Sequence, residues 1–458
     1  MILSDLLAVD ASRADRVAVA DGLGQLTYHE ITQQAACVAS WLMAQGVQPG
    51  DRVFIELPNS TRFVAALFGA QFAGAVTVPL DPALAVPQLD VIAASAEPKV
   101  RLSATSPWEE IFASPPLAEA VRRDAGELAA LMFTTGTTGT PKGVMLSHAN
   151  IFAALRNISA FIGYSEHDRE VITLPLSHNF GLGHLYCNLL AGGAAYLEPG
   201  LSRVGRALKA VRDFGATGFP TTPLGVSMLL DRYADVFAER ARGLRFMVVN
   251  SAPLPPERTA QLQALLPELD IMVYYGLTEA SRSTFVSLTQ VGPDRYRSVG
   301  RSMKGVNVRL DEVGQVLVSG PTVSTGYWRA PEQTDAAFLN GELHTGDLGR
   351  FDEEGYLFIT GRQDDTINLG GYKINPLTVE RVLEAHSSIR ECAVTSVDDT
   401  VVALVATDAE PDTDVLIRYC REHLQVHEAP TRFVRVDQLP RTDSGKLRRK
   451  ELLSLLMR

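Results

Sequence analysis

Short apolar runs alternate with stretches of helical periodicity along most of this 458-residue chain. The run Leu128–Phe133 contains no polar residue, whereas Ser202–Gly215 spaces its apolar residues at the period of an α-helix. Buried strands that alternate with helices indicate parallel sheets covered by helices on both faces. The other predicted strands of this kind are Arg52–Leu57, Val76–Leu80, Glu170–Leu176, Ala194–Pro199, Arg245–Asn250 and Ile271–Gly276.

The pattern of the sequence changes after Gly292. Short runs punctuated by glycine, such as Val308–Gly320 and Gly341–Gly361, predict antiparallel hairpins in a barrel-like subdomain. From Arg362 onward, the spacing predicts two helices and three strands of a separate small domain. These elements are Leu377–Ala385, Thr413–Leu424, Glu391–Ser396, Val401–Thr407 and Arg432–Val436.

We therefore predict an α/β fold with two domains. The larger domain, residues 1–361, combines two αβ-layered subdomains with the small β-barrel-like subdomain. The smaller domain, residues 362–458, is a mobile α+β unit that begins just after a glycine-ended strand, where a hinge is expected.

Composition narrows the class of protein. The formal net charge of −11 argues against a nucleic-acid binder, because such proteins use Lys and Arg to neutralise phosphates. The sequence has no apolar run of membrane-spanning length and no signal peptide, which predicts a cytoplasmic protein without a membrane span. The four cysteines show no paired spacing and are expected to be free thiols.

A loop rich in glycine and threonine spans Phe133–His148. It contains five Thr and three Gly and a single lysine, Lys142, so it offers backbone N–H groups, hydroxyls and one ammonium to phosphate oxygens. The P-loop pattern requires Gly before the lysine and Ser or Thr after it, but here Pro141 and Gly143 take those places. The loop thus predicts a nucleoside triphosphate site that is not of the Walker ATPase or kinase type.

Two polar clusters follow predicted strands, at the edge where open α/β sheets bind ligands. His178 and Asn179 form the first cluster, and Thr278 and Glu279 form the second, after Gly276. Beside a triphosphate, Glu279 is a natural ligand for Mg²⁺, which takes few protein carboxylates plus phosphate oxygens. A helix start capped by Thr278 is the structural alternative.

Two further clusters lie later in the chain. Asp347 stands in a glycine turn, where its carboxylate could accept from ribose hydroxyls, and Arg362 could pair with a phosphate. Lys446 ends the loop Thr442–Lys446 ahead of a C-terminal helix. The alternatives are an ordinary Gly/Asp hairpin and a solvated basic C-terminus.

Together these runs resemble the adenylate-forming superfamily, which includes acyl-CoA synthetases, peptide-synthetase adenylation domains and luciferases. The matching runs are TTGTTGTPKG, YYGLTEA, HTGDL, GYLFITGR and PRTDSGK, and the resemblance extends from Leu26 to the end of the chain. It implies an enzyme that binds ATP, Mg²⁺ and a carboxylic acid, forms acyl-AMP with release of pyrophosphate, and passes the acyl group to a pantetheine thiol of CoA or a carrier protein.

The resemblance also implies a role for each matching residue. The catalytic residues would be Lys446, which bridges the carboxylate and the α-phosphate, Thr278 at the α-phosphate, and His178. Glu279 would hold Mg²⁺, and Asp364 would be the hinge. The nucleotide would contact Thr134, Thr135, Gly136, Thr137, Thr138, Lys142, Tyr275, Gly276, Thr278, Asp347 and Arg362, and the pantetheine channel would contain Gly370 and Gly371.

The identity of the acid is less constrained. No Asp lies in the two segments expected to form the acid pocket, which disfavours a free α-amino acid. Asn179 after His178 is similar to aryl-acid-activating relatives and points to an aryl, hydroxylated or otherwise polar-substituted acid. The predicted pocket residues are His178, Asn179, Phe180, Phe219, Asn250, Ser251, Ala252 and Pro253.

Three alternatives stay open at this point. The enzyme could join the acyl group to an amine, or load an aryl acid onto a carrier protein, with the same first half-reaction. A degenerate nucleotide-binding protein is the non-enzyme alternative, although all five key polar positions are retained.

Two further stretches bear on the type of ligase and on its acceptor. The compact stretch Glu97–Leu128 resembles stand-alone ligases of secondary metabolism. The basic residues Arg448, Arg449 and Lys450 form either a CoA-phosphate contact or a solvated helix face.

Overall fold

The computed structural model describes residues 1–7, 12–135, 141–369, 372–397, 400–441 and 447–456. The chain folds into two compact units. The first unit comprises Met1–Asn250, Leu254–Val308 and Val318–His344, and the second comprises Ser251–Pro253, Arg309–Leu317 and Thr345–Arg458. The predicted α/β fold is confirmed.

A nine-stranded sheet organises most of the first unit, with strand order β14-β13-β12-β11-β10-β8-β9-β1-β2. Six neighbouring strands run parallel to one another, namely β12, β11, β10, β8, β9 and β1. At the two ends of this order, β2, β13 and β14 pair antiparallel with their neighbours. Its members are β1 (Val17–Asp21), β2 (Gly24–Thr27), β8 (Arg169–Ile172), β9 (Ala194–Leu197), β10 (Gly218–Thr221), β11 (Phe246–Val249), β12 (Asp270–Tyr275), β13 (Thr284–Ser287) and β14 (Arg301–Ser302).

A second sheet of the first unit has five strands in the order β5-β3-β4-β6-β7. Its last two strands form an antiparallel hairpin on either side of the glycine- and threonine-rich loop, whose residues 136–140 lie outside the described part of the chain. The five strands are β3 (Arg52–Glu56), β4 (Val76–Pro79), β5 (Val100–Ser103), β6 (Leu128–Thr135) and β7 (Pro141–Ser147).

The helices of the first unit cover these sheets, and their ends follow ordinary capping rules. The side chain of Ser147 caps α5 by accepting from the backbone N–H of Asn150. The α-helices are α1 (Tyr28–Ala44), α2 (Thr61–Phe72), α3 (Val86–Ala96), α4 (Trp108–Ala113), α5 (His148–Ile162), α6 (Asn179–Ala191), α7 (Val204–Asp213), α8 (Pro223–Arg240), α9 (Pro256–Leu265) and α10 (Pro331–Ala337), with 3₁₀ turns at Leu3–Leu7, Leu201–Arg203 and Pro293–Arg295.

The glycine-punctuated region forms another five-stranded sheet. Its order is β15-β16-β18-β17, and β19 also pairs with β18. The hairpin predicted within Gly341–Gly361 is confirmed by the antiparallel pairing of β18 and β19. The strands are β15 (Asn307–Leu310), β16 (Gln315–Ser319), β17 (Phe338–Leu339), β18 (Glu342–Phe351) and β19 (Leu357–Arg362).

The rest of the second unit has the predicted α+β pattern. A three-stranded sheet, β22-β23-β24, packs its apolar side chains against two helices, and a short hairpin precedes it. The elements are β20 (Ile367–Leu369), β21 (Tyr372–Ile374), α11 (Pro376–Glu384), β22 (Glu391–Val397), β23 (Thr400–Ala406), α12 (Thr413–His423), β24 (Arg432–Val436), a 3₁₀ turn at Arg449–Glu451 and α13 (Leu452–Leu456).

The domain boundary between residues 361 and 362 stays a prediction. The hairpin of β18 and β19 belongs mostly to the second unit, so the compact units divide the chain earlier than that boundary. All four cysteines are buried and free, as expected. Within the described ranges, no helix is long and apolar enough to cross a membrane.

Candidate active site

The carboxyl ends of the parallel strands carry the first two predicted clusters. Strand β8 leads to His178 and Asn179, β11 leads to Asn250, and β12 leads to Thr278 and Glu279. Because β8, β10, β11 and β12 are successive parallel neighbours, these residues follow the same edge of the nine-stranded sheet. This edge is where open α/β sheets bind ligands.

The start of α6 brings polar and aromatic side chains to this edge. His178 is the exposed N-cap residue, and Asn179 is the first helical residue. The helix packs so closely against the segment after β8 that a Cβ at Gly181 would lie 2.7 Å from two carbonyl oxygens. Phe180 is buried, with its ring 5.5 Å from that of Tyr274. The helix start is thus held rigidly beside the end of β12.

The turn after β12 positions Thr278 and Glu279. A Cβ on Gly276 would lie 2.4 Å from the backbone nitrogen of Arg282, so only glycine fits there. The turn is closed by a hydrogen bond from Ser283 N to Tyr275 O at 2.8 Å. Thr278 and Glu279 are half-buried, and Tyr275 is 9% exposed.

Tyr327 links Glu279 to Lys142. Its hydroxyl donates to Glu279 Oε1 at 2.8 Å, and Lys142 Nζ lies 5.2 Å from the centroid of its ring. Burial raises the pKa of Tyr327, and the Glu279 carboxylate raises it further, so the hydroxyl remains a donor. Tyr327 was not predicted from the sequence, although the aromatic pair Tyr327–Trp328 after a glycine, in an otherwise polar stretch, was a signal for it.

Backbone hydrogen bonds hold this aromatic segment against the hairpin of β6 and β7. Trp328 N donates to Gly143 O at 2.7 Å, and Met145 N donates to Gly326 O at 2.9 Å. Further along, Ser324 N donates to Glu279 O at 2.7 Å. The segment therefore connects the hairpin of β6 and β7 to the turn that carries Glu279.

Only part of the predicted phosphate loop is described. Thr134 pairs with Lys142 and Thr135 with Pro141 across the hairpin. Gly136, Thr137 and Thr138 lie outside the described residues, and for Thr135 only the backbone is described.

The predicted acid-pocket residues fall in both units. Phe219 is fully buried within β10. Asn250 follows β11 and is hydrogen-bonded to the buried Tyr274. The pKa of Tyr274 is raised by burial. The remaining three, Ser251, Ala252 and Pro253, belong to the second unit, where Ser251 has a left-handed φ of 87°.

Asp347 and Arg362 lie together in the second unit. They are opposite each other across β18 and β19, and Arg362 Nη1 donates to Asp347 Oδ1 at 2.7 Å. Gly346 has a φ of 72°, a conformation that favours glycine. Thr345 Oγ1 accepts from Asp347 N at 3.1 Å and so fixes the turn.

Asp364 and Asp365, shortly after the predicted boundary, differ in environment. Asp364 is exposed in a turn. Asp365 Oδ2 lies 3.1 Å from Arg449 Nε, and Arg449 also forms two hydrogen bonds of 2.7 Å with Glu380. Arg449 therefore belongs to an internal ion-pair network, which is neither of the two alternatives considered from the sequence. Burial raises the pKa of Asp365.

Lys446, Gly370 and Gly371 lie outside the described residues. The strands that flank the two glycines, β20 and β21, pair from Ile367 to Ile374. On either side of the lysine loop, Arg441 and Leu447 form an antiparallel bridge. Arg441 and Leu447 are thus close together.

Comparison with known proteins decides the family. The AMP-binding enzyme family matches residues 8–328, and the C-terminal domain of AMP-binding enzymes matches residues 378–446. The chain belongs to the AMP-binding enzyme family. The resemblance to the adenylate-forming superfamily is confirmed.

Curated AMP-binding relatives include CoA ligases. A feruloyl-CoA synthase of Amycolatopsis is 32% identical over 95% of both chains. A 2-succinylbenzoate–CoA ligase of Bacillus licheniformis is 28% identical over 96% of both chains.

Solved structures of the AMP-binding family superpose closely. ATP-bound MatB from Rhodopseudomonas palustris is 26% identical and covers 99% of both chains, with a TM-score of 0.92. The o-succinylbenzoate CoA synthetase MenE of Bacillus subtilis, in complex with ATP and magnesium, is 25% identical with a TM-score of 0.86, and covers 98% of this chain and 99% of MenE.

This membership establishes the type of reaction. The protein is an AMP-forming acid–thiol ligase, which uses ATP and Mg²⁺ to convert a carboxylic acid into acyl-AMP and then transfers the acyl group to a pantetheine thiol, of CoA or of a carrier protein.

Proposed function

We propose that Lys142, Thr278 and Glu279 hold the triphosphate of ATP during acyl-AMP formation. The observation that supports this assignment most is the contact of Lys142 and Glu279 with opposite parts of Tyr327, the ring and the hydroxyl. A carboxylate that attacks a phosphate brings two negative charges together, so the rate depends on positioning and on cations near the developing charge. Lys142 supplies one such cation, and Thr278 offers a hydroxyl to the α-phosphate.

The surroundings of the Glu279 carboxylate are suited to binding a magnesium ion. Within the described ranges, the Tyr327 hydroxyl is the single side-chain group hydrogen-bonded to the Glu279 carboxylate, so Oε2 keeps its lone pairs for a metal. No cluster of three His, Cys, Asp or Glu is found in the described part of the chain, and Mg²⁺ with a nucleotide takes only one or two carboxylates. When bound, the ion would neutralise charge on the phosphate oxygens. Tyr327 orients the carboxylate for it.

We assign the ribose to Asp347 and Arg362. A carboxylate can accept hydrogen bonds from both ribose hydroxyls, and the ion pair with Arg362 holds the Asp347 carboxylate in one orientation. We assign Tyr275 and Gly276 to the adenine, on the resemblance of their motif.

The second half-reaction is assigned to the smaller domain. Lys446 would serve acyl-AMP formation, and a rotation about Asp364 would then replace it with the pantetheine channel at Gly370 and Gly371. The exposure of Asp364 in a turn supports its role as a hinge, because its backbone can change without disturbing a packed side chain. Residues 362–458 would move as one domain.

The acid that we propose is an aryl or hydroxylated carboxylic acid, or another acid with a polar substituent. Phe180 and Tyr274 place aromatic rings beside the start of α6, and Asn179 Nδ2 has no acceptor among the described residues. The activity named for the Amycolatopsis relative, on a hydroxylated aryl acid, points in the same direction. The pocket would include His178, Phe219 and the segment Asn250–Pro253.

We propose CoA as the acceptor, since curated relatives are CoA ligases, and a carrier-protein pantetheine is the second candidate because both present the same thiol. No described feature favours an amine. The cytoplasmic location stays a prediction.

A panel of carboxylic acids incubated with ATP and Mg²⁺ tests this proposal. Pyrophosphate release identifies the acid, and mass spectrometry of the products with CoA, a carrier protein or amines identifies the acceptor. We expect AMP, pyrophosphate and an acyl thioester from an aryl or polar-substituted acid. Formation of ADP, or use of unsubstituted aliphatic acids alone, would contradict it.

A further inference from the structure

A small, partly open cavity lies between α5, α6 and the strands β6 and β7. We call it the Arg282 cavity. Its volume of about 30 Å³ is the space of one water molecule or one small polar group. One side is apolar, whereas the other side is polar. Ile151 and Leu155 lie on the apolar side, and the polar residues used below are Asn179, Tyr186, Arg282 and Thr322.

Four polar atoms at this cavity have no hydrogen-bond partner among the described residues. They are Asn179 Nδ2, Tyr186 OH, Arg282 Nε and Thr322 Oγ1. Folded proteins satisfy nearly all buried polar atoms, since an unpaired one costs about 1–3 kcal/mol. Four at one cavity therefore indicate that a polar group occupies it in the working protein. Two of the four atoms, Asn179 Nδ2 and Arg282 Nε, can only donate, so that group must accept.

Arg282 adds a positive charge to this set. It is 3% exposed, and it forms no ion pair in the part of the chain that the structure describes. Its Nη2 donates to the carbonyl oxygens of Asn179 and Phe180, each at 3.0 Å, and its Nη1 donates to Ser281 Oγ at 2.9 Å. These neutral acceptors hold the guanidinium in place, and its carbon lies 5.1 Å from the centroid of the Tyr274 ring, but no carboxylate among the described residues neutralises its charge. A buried cation without a counter-ion is costly.

The backbone and a neighbouring helix are shaped around this arginine. Arg282 has a left-handed φ of 51°, an unfavourable conformation for a residue with a side chain. On α6, a Cβ at Gly183 would lie 2.4 Å from Arg282 Nη2, so the missing side chain makes room for the guanidinium. Strain and uncompensated charge at one buried residue are typical of functional sites.

We propose that the Arg282 cavity is the distal subsite of the acid pocket and binds a second carboxylate of the substrate. The cavity shares Asn179 with the predicted pocket and lies against the segment that carries Thr278. Donors from an arginine, an amide and a hydroxyl match an ionised carboxylate, which is acceptor-only with about four lone-pair sites. A neutral hydroxyl or a water would fill the space but would leave the charge of Arg282 unpaired. The substrate class is thus a dicarboxylic acid.

This inference rests on the proposed function, and matched substrates separate the two. Each dicarboxylic acid, in an aliphatic and an aryl series, is compared with its monomethyl ester, which has one reactive carboxylate and no second charge. Pyrophosphate release with ATP gives kcat/KM for each. We expect the best diacid to exceed its ester by about 10- to 100-fold, the effect of one charge-assisted hydrogen-bonded contact. If esters and diacids react equally, the subsite is wrong but the ligase function stands; if no acid releases pyrophosphate, the function itself fails.

Two variants of Arg282 test whether the preference for a diacid over its ester depends on the cavity. Arg282→Gln should lower the diacid-to-ester ratio to near one, whereas Arg282→Lys, which keeps the charge, should retain part of it. Tyr233→Phe, on the exposed surface of α8, is the control and should keep the wild-type ratio. A ratio that survives Arg282→Gln would overturn the proposal.

A second variant covers the case in which Arg282→Gln does not fold. Tyr186→Phe removes one unpaired hydroxyl and leaves the packing intact. We expect it to lower the diacid-to-ester ratio severalfold. An unchanged ratio in a folded Tyr186→Phe protein would mean that water alone occupies the cavity, and would contradict the proposal.

Discussion

Tyr327 donates a hydrogen bond of 2.8 Å to the Glu279 carboxylate. The two residues are 48 positions apart in the chain. The aromatic ring of Tyr327 faces the ammonium of Lys142. One tyrosine therefore contacts both a cation and the carboxylate that we propose binds Mg²⁺, which are the two kinds of group that ATP phosphates require.

Removal of the Tyr327 hydroxyl should weaken the use of magnesium. In Tyr327→Phe, Glu279 loses the donor that orients its carboxylate, while the ring that faces Lys142 remains. We expect kcat/KM for pyrophosphate release to fall about tenfold, as for the loss of a hydrogen bond to a charged group, and the Mg²⁺ concentration for half-maximal rate to rise. Tyr233→Phe is the control. An unchanged Mg²⁺ dependence would show that Tyr327 has only a structural role.

Asp347 should be responsible for discrimination between ATP and 2′-deoxy-ATP. An amide in Asp347→Asn accepts more weakly from ribose hydroxyls than a carboxylate and also weakens the ion pair with Arg362. We expect KM for ATP to rise about tenfold and the preference over 2′-deoxy-ATP to shrink. Steady-state kinetics with the two nucleotides measure it, with the exposed Asp437→Asn as control. Equal discrimination in Asp347→Asn and wild type would remove Asp347 from the ribose site.

The ion pair of Arg449 and Glu380 should stabilise the second unit. Glu380 is 4% exposed and accepts two hydrogen bonds from Arg449, so Arg449→Met would leave a buried charge without its partner. We expect a loss of about 3–5 kcal/mol in the free energy of unfolding by urea, and recovery of much of it in the double variant with Glu380→Leu.

Arg448→Met serves as the matched control for this network. Arg448 pairs with Glu451 at the surface, where an ion pair contributes less than about 1 kcal/mol. Equal losses in Arg449→Met and Arg448→Met would mean that the buried network does not stabilise the unit.

His148 should make stability depend on pH. Burial lowers its pKa to about 4, with repulsion from Arg123 adding to the effect, and its Nδ1 accepts from Leu3 N at 3.1 Å. The unfolded chain takes up the proton near pH 6.5 and the folded chain only near pH 4. Stability is therefore present above pH 6.5 and is lost as the pH falls towards 4, by up to about 3 kcal/mol.

The comparison with His148→Gln isolates this contribution. Glutamine can accept the same hydrogen bond but does not titrate, so the stability of the variant relative to wild type should improve between pH 7 and pH 4.5. Urea unfolding at several pH values measures the difference, and His29→Gln, at an exposed position, should show no such trend. A pH-independent difference for His148→Gln would contradict the account.

The strands and the polar residues at their ends were predictable from local sequence. Apolar runs such as Leu128–Phe133 became strands because they had to be buried, and the carboxyl edge followed from parallel pairing. One strand was predicted too long: β8 ends at Ile172, and the expected run to Leu176 fails because Pro175 cannot donate to a sheet. The proximity of Asp347 and Arg362 could also be predicted from local sequence, because a single hairpin brings the two residues together.

The residues that were missed depend on contacts between distant parts of the chain. Tyr327 meets Glu279 only because the segment after β16 pairs with the β7 hairpin, and Arg282 meets Asn179 across about 100 residues. Arg449 was expected at a solvated surface or a CoA phosphate, since nothing in its own segment shows that Glu380 faces it. Burial and charge compensation are properties of the folded molecule, and local periodicity does not contain them.

The rates of the two half-reactions test the central claim most directly. They are pyrophosphate release from acid and ATP, and thioester formation from preformed acyl-AMP and CoA, each measured for wild type, Lys446→Ala and Asp364→Pro. We predict that Lys446→Ala loses about 10²–10³ in the first rate and keeps most of the second, because the lysine stabilises charge only during adenylation. Asp364→Pro should show the opposite pattern, because it restrains the hinge. Equal losses in both half-reactions for both variants would contradict an enzyme that alternates between two sites.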